Sequence, residues 1–242
     1  FYYRIMDLLS WKNLVIIKEI QWIVIVICKF MYLNETKSFD LEYSVQQLKK
    51  VDPSLTKMFD QVQVNPLQSE KNYFQSLTRS IIYQQLSGSA AKKIFNRFKA
   101  IYSVKDFPKP KDVFATDIEA LRLSGLSYNK AQYIKNIAKA FLDEPDIYNG
   151  FAKMSDEDII QTLTKVKGIG LWTAQMFLMF TLNRPDIFPA TDLAMQKGYQ
   201  AFFKLRELPK AGEMIKKSEL WIPYRTTVSL YLWAVLEGPF EW

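Results

Sequence analysis

The sequence has no histidine and a single cysteine, Cys28, in 242 residues. Without imidazole it lacks the side chain that titrates nearest neutrality, which is also the commonest metal ligand. With one thiol it can close no internal disulfide and can build neither a cysteine-rich zinc site nor a four-cysteine iron–sulfur cluster. Chemistry is left to carboxylates, hydroxyls, lysine, tyrosine and backbone groups, and the lone thiol fits a reducing compartment. Glycine and proline are scarce, at 8 and 10 residues, which argues against long low-complexity linkers. A long apolar run is missing too. The longest in the first thirty residues, 22–28, falls far short of the roughly 20 residues a spanning helix needs.

What is present is basic. Lys and Arg number 32 against 25 Asp and Glu, a formal charge of +7, which suits a polyanionic partner such as nucleic acid. Apolar residues make up 49%, as in an ordinary soluble protein with a substantial core. The N-terminus reads differently. Lys18, Glu19 and Gln21 interrupt apolar stretches at 14–17 and 20–28, and no small-residue cleavage site follows Cys28. The expectation is an upstream extension over 1–33 outside the catalytic fold, with Met31 as the natural start and 34–242 as the folded domain. An amphipathic helix over 14–30, anchoring the protein to a membrane surface, is the competing reading.

From about residue 41 the pattern is helical, with no convincing run of alternating strands. Asp52-Pro53 reads as a helix start. Helices are expected over 73–86, 90–102, 113–123 in short pieces, 128–142 up to Pro145, and 155–165 from a capping box at Ser155. Further helices are expected over 171–182, 192–203, 210–217 and 224–236. The fold class is all-α, with ten or so helices.

The most informative segment is LTKVKGIGLWTA at 163–174. Two glycines, Gly168 and Gly170, between helical patterns allow a tight turn and bring backbone N–H groups to a surface. Successive amides at a helix start suit a phosphate oxygen, and Lys165 and Lys167 add positive charge. On its own such a pair is more often a plain helix–helix turn. The context changes that reading, because 163–174 resembles the hairpin of the helix-hairpin-helix DNA glycosylase superfamily. FPATDLAMQK at 188–197 resembles the segment carrying that family's catalytic Asp, and LTRSIIYQQLS at 77–87 its DNA-wedging loop. LSGLSYNKA at 123–131, with WIPYRT at 221–226 and YLW at 231–233, resembles the 3-methyladenine DNA glycosylase II branch. Five segments stand in register.

The resemblance implies a two-lobed, all-α fold of the compact type, without the extra β-rich N-terminal domain of larger relatives. It implies a monofunctional DNA glycosylase that hydrolyses the N-glycosidic bond of alkylated purines in base excision repair. Asp192 becomes the catalytic carboxylate, stabilising an oxocarbenium-like sugar; by residue type alone it would be a helix N-cap. Trp172 stands where strand-cleaving relatives carry a Schiff-base lysine, so no lyase activity is expected. Trp172 is expected to wall the base pocket, with Tyr128, Trp221, Tyr224 and Trp233 as further pocket aromatics. An alkylated, cationic base already leaves readily, which suits an enzyme without histidine.

The target base must be flipped out and the gap filled. Leu86 is the expected wedge, with Gln85 and Ser87 as alternatives. Lys167, Gly168, Gly170 and Thr173 are expected at the DNA. No cofactor is expected for catalysis and no iron–sulfur cluster. By position, the carbonyls of Thr164, Val166 and Gly168 would hold a structural monovalent cation, Na or K. The expected partner is double-stranded DNA with alkylated bases, met by a monomer away from membranes, in the cytoplasm or in a nucleus. Thr191 departs from relatives that have a second Asp there. The other functional class left open is a helix-hairpin-helix module that holds DNA without catalysis. The lesion range among alkylated and deaminated purines also stays open.

Overall fold

The computed structural model describes residues 39–86, 88–104 and 106–237, so the expected N-terminal extension and its anchoring alternative lie outside the described residues. Among those residues there are helices and no strands. They are α1 (Leu41–Val51), α2 (Thr56–Gln61), α3 (Tyr73–Tyr83), α4 (Gly88–Ala100), α5 (Pro110–Ala115), α6 (Ile118–Leu123) and α7 (Tyr128–Asp143). They continue with α8 (Pro145–Asn149), α9 (Asp156–Thr164), α10 (Leu171–Phe180), α11 (Leu193–Phe203), α12 (Ala211–Ser218) and α13 (Arg225–Glu237). Short 3-10 turns lie at Pro53–Leu55, Phe151–Lys153 and Glu219–Trp221.

Side-chain caps start many of these helices. Asp40, Asn72, Ser127 and Ser155 each accept a backbone N–H from the first turn that follows, satisfying a donor the helix cannot. One of these ends differs from expectation. α3 stops at Tyr83 rather than near residue 86, because the chain turns at Gln84 and Gln85 takes a left-handed φ of 56°. Pro145 stops α7, which ends at Asp143 as expected, and it also opens α8 from its first turn, where a missing N–H costs nothing.

The helices sort into two groups. α3 to α10 pack on one another, with α3 meeting α4, α7 and α10, α7 meeting α5 and α6, and α9 meeting α10. α10 is buried along most of its length, including Phe177, Leu178 and Met179, as expected for a helix apolar on all sides. The first two and the last three described helices form the other group, in which α11 packs on α13 and α13 on α1 and α2. At the α11–α13 crossing a side chain on Gly198 would place its Cβ 2.0 Å from the Leu232 carbonyl oxygen, so a glycine is required. Asp52 ties this group together, accepting from Trp221 Nε1 at 2.9 Å and Lys217 Nζ at 2.8 Å. Burial pushes the Asp52 carboxyl up, but hydrogen bonds from Lys217, Ser54 and Trp221 outweigh it and hold the group below the usual range.

The segment that returns from one group to the other, 181–192, is clamped in place. Arg225 grips the Asp186 carboxylate with two N–H groups at 2.7 and 2.8 Å. Thr226 Oγ1 donates to the Arg184 carbonyl at 2.6 Å and accepts from Ile187 N at 3.0 Å. Arg184 reaches back to the Met154 carbonyl at 2.9 Å and to Asp156 at 3.2 Å. The residue at the end of this clamped segment is Asp192.

Candidate functional site

Asp192 is the N-cap of α11, its Oδ1 accepting from Met195 N at 2.7 Å. The same oxygen accepts from Trp233 Nε1 at 3.0 Å, and Oδ2 accepts from Trp172 Nε1 at 2.8 Å. Three donors therefore hold one half-buried carboxylate. Trp172 comes from α10 and Trp233 from α13, so the site sits where the two groups of helices meet. Charge-assisted bonds of this kind fix orientation as well as position. Oδ1 carries two donors and Oδ2 one, which leaves Oδ2 the less committed oxygen. A carboxylate held this way presents fixed negative charge to a developing cation without reorganising.

The two indoles are placed unlike the third. Trp172 is half-buried, and Trp233, at 7% exposure, lies close to the Phe180 ring. Trp221 does not join them. It is wholly buried, stacked with Phe203 and hydrogen-bonded to Asp52, so the expectation that it lines a pocket is corrected: its ring is core. Tyr224 is half-buried and edge-on to Tyr43, with ring centroids 6.1 Å apart. Tyr128, at the start of α7, is 54% exposed.

The hairpin spans 165–170, between α9 and α10. Gly168 has φ 110°, and a Cβ there would stand 2.2 Å from the Tyr133 ring, so both backbone and neighbour demand a glycine. Gly170 serves otherwise. It is extended and exposed, no side chain caps α10 there, and nothing lies within 4 Å of where a Cβ would be. The start of α10 thus has no side-chain cap and lies open at Gly170, flanked in sequence by exposed Lys165 and Lys167. Thr173 is corrected: its side chain is 2% exposed, and its hydroxyl accepts from Gln84 Nε2 at 2.9 Å, so it braces the hairpin from inside. Val166 O accepts from Ile169 N at 3.0 Å and Gly168 O from Gln84 Nε2 at 3.3 Å. Each keeps a second lone pair. Among the described residues no cluster of acidic, thiol or imidazole side chains could hold a metal ion.

The loop after α3 exposes Gln85 and Leu86, the latter at 40%, while Ser87 lies outside the described residues. Sequence reasoning missed what supports this loop. Lys130 Nζ donates to the carbonyls of Ile82 at 2.9 Å and Gln84 at 2.6 Å, and Asn136 Nδ2 donates to the Lys167 carbonyl at 3.0 Å. Lys130, Tyr133 and Asn136 recur every third residue on α7, a spacing that itself marks one helix face.

Comparison with known proteins bears on this arrangement. Residues 78–223 match the family described as HhH-GPD superfamily base excision DNA repair protein. The chain is 37% identical to DNA-3-methyladenine glycosylase 1 of Schizosaccharomyces pombe over 180 residues, 74% of this chain and 79% of that one. It is 34% identical to the alkylbase DNA glycosidase-like protein mag2 of the same yeast, over 83% of this chain and 96% of that one. Among solved structures it resembles the S. pombe 3-methyladenine DNA glycosylase in complex with abasic DNA. That match has a TM-score of 0.70 and 34% identity, covering 80% of this chain and 95% of the other. It also resembles a DNA-3-methyladenine glycosidase of Bacillus halodurans, with a TM-score of 0.65 and 30% identity over 82% and 91% of the two chains.

Proposed function

The chain belongs to the HhH-GPD superfamily of base excision DNA repair proteins, and from that premise we propose that it hydrolyses the N-glycosidic bond of 3-methyladenine-type alkylated purines in duplex DNA. The observation that carries this reading is the Asp192 carboxylate, held by Trp172, Trp233 and Met195 where the two helix groups meet. The hairpin takes a phosphate on the open start of α10, beside Lys165 and Lys167. Leu86 enters the base stack as the damaged nucleotide leaves it. As the glycosidic bond lengthens, positive charge gathers on the sugar, and the fixed Asp192 charge stabilises it. The departing base is already cationic and requires little protonation. Trp172 stands in the Schiff-base position, and an indole has no amine to attack C1′, so the product is an intact strand with an abasic site. The protein acts as a monomer, wherever the cell keeps its DNA. Hairpin carbonyls of Thr164, Val166 and Gly168 fit a weakly held monovalent cation, being neutral oxygen donors. Bound there, the cation would add positive charge toward a DNA phosphate.

The test is release of free bases from methylated duplex DNA, identified by chromatography, with strand integrity followed in parallel. We expect alkylated purines and an uncleaved abasic strand. Binding without base release would leave a DNA-holding module, and trapping of a covalent protein–DNA adduct by borohydride would contradict the monofunctional reading.

A further inference from the structure

The loop bearing Leu86 and the hairpin are far apart in sequence, yet the structure joins them. Gln84, the last residue before the exposed tip, donates from Nε2 to the Gly168 carbonyl at 3.3 Å and the Thr173 hydroxyl at 2.9 Å. α7 runs past both parts. Lys130 holds the Ile82 and Gln84 carbonyls, the Tyr133 ring covers Gly168, and Asn136 holds the Lys167 carbonyl. The Lys130 ammonium is partly withdrawn from water, and burial lowers its pKa. Such a withdrawal is unfavourable unless the charge meets good acceptors. Here the acceptors are carbonyls at the C-terminal end of α3, which carries the negative end of a helix dipole. Gln84 is thus held by both its side chain and its carbonyl, Gln85 makes a left-handed turn, and Leu86 projects from a fixed stem.

We propose that Gln84 and Lys130 are positioning residues for base extrusion, fixing the Leu86 wedge at a set distance from the phosphate-gripping hairpin. Docking of the hairpin then delivers the wedge to the base stack already ordered, so little conformational freedom is lost when it inserts. The inference rests on the glycosylase reading. It assigns these residues no contact with the reacting atoms, so their effect belongs to the flipping step and not to hydrolysis.

The experiment compares wild type with Gln84→Met, Lys130→Met and Lys130→Arg on two substrates under single-turnover conditions. In one, the alkylated purine is paired in a duplex; in the other, it sits unpaired in a one-nucleotide bulge. A 2-aminopurine beside the lesion reports extrusion directly. We expect both Met variants to excise the paired lesion about 10- to 100-fold more slowly, the scale of a misplaced group, with slower 2-aminopurine fluorescence rise. On the bulge their rates should stay within about threefold of wild type, since extrusion is no longer limiting. Lys130→Arg, which keeps a cation for the two carbonyls, should recover most of the paired-substrate rate. Equal losses on both substrates, or no loss on either, would overturn the proposal. Should Gln84→Met melt well below wild type, Gln84→Glu replaces the donor with an acceptor facing the Gly168 carbonyl at nearly the same size and must show the same selective loss. Wild type that releases no alkylated base from either substrate would instead sink the glycosylase reading.

Discussion

Asp192 caps a helix with the same carboxylate to which the proposed function assigns the chemistry, and its donors decide what a substitution does. In Asp192→Asn the amide oxygen can keep Met195 N and Trp233 Nε1, but the amide nitrogen then meets the Trp172 N–H across a 2.8 Å gap. Two facing donors leave a polar group unsatisfied, which costs about 1–3 kcal/mol. For a chain of this size that lowers the melting temperature by roughly 2–4 °C per kcal/mol. Excision should fall on the order of 10²–10³-fold, while affinity for an abasic analogue holds or improves, since a charge near the phosphates is gone. Adding Trp172→Phe to Asp192→Asn removes the opposing donor and should recover part of the melting temperature but none of the excision. Melting curves and single-turnover rates on the same preparations separate the two roles, and normal excision by Asp192→Asn would sink the mechanism. At this scale the sequence was only partly legible. The family pattern marks Asp192 and places an indole at Trp172, but residue type could not tell Trp233, whose N–H reaches the carboxylate, from Trp221, whose N–H reaches Asp52. That choice is made by helix packing between segments distant in sequence.

Among the elements, two glycines invite opposite expectations. Gly170 has open space where a Cβ would go, whereas Gly198 has the Leu232 carbonyl 2.0 Å away. Gly170→Asp should therefore melt like wild type yet bind duplex DNA more weakly, because a carboxylate takes the place that the proposed function gives to a phosphate. Gly198→Ala should lower stability by about 1–3 kcal/mol through forced separation of α11 and α13. It should also slow excision, since α11 carries Asp192. Melting curves with fluorescence anisotropy on labelled duplex read both effects; a Gly198→Ala protein with unchanged melting would refute the tight-crossing account. Helical periodicity located most of these elements within a few residues. It failed at the end of α3, where Leu86 continues the apolar pattern. There the chain turns through a left-handed Gln85, and Lys130, from 46 or more positions away, takes the Ile82 and Gln84 carbonyls; no local pattern carries that contact.

At the scale of the whole molecule, the formal charge of +7 and the exposed hairpin lysines give DNA binding a large electrostatic part. Affinity for undamaged duplex should fall steeply and linearly on a log–log plot against salt, each phosphate contact contributing a slope of about −0.9. Titrations at several ionic strengths check this, and a flat response would refute a phosphate-led interface. The arrangement of the two helix groups has a consequence in time. The loop, the buttressing α7 and the hairpin all lie between α3 and α10, one unbroken stretch of chain, whereas the lobe bearing the carboxylate needs α1 and α2 to meet α11 and α13. On the ribosome the first can close while the second still waits for α13, the helix that brings Trp233. A chain made only as far as α10 would therefore hold the exposed loop and the hairpin in register before the Asp192 carboxylate existed to receive its Trp233 donor.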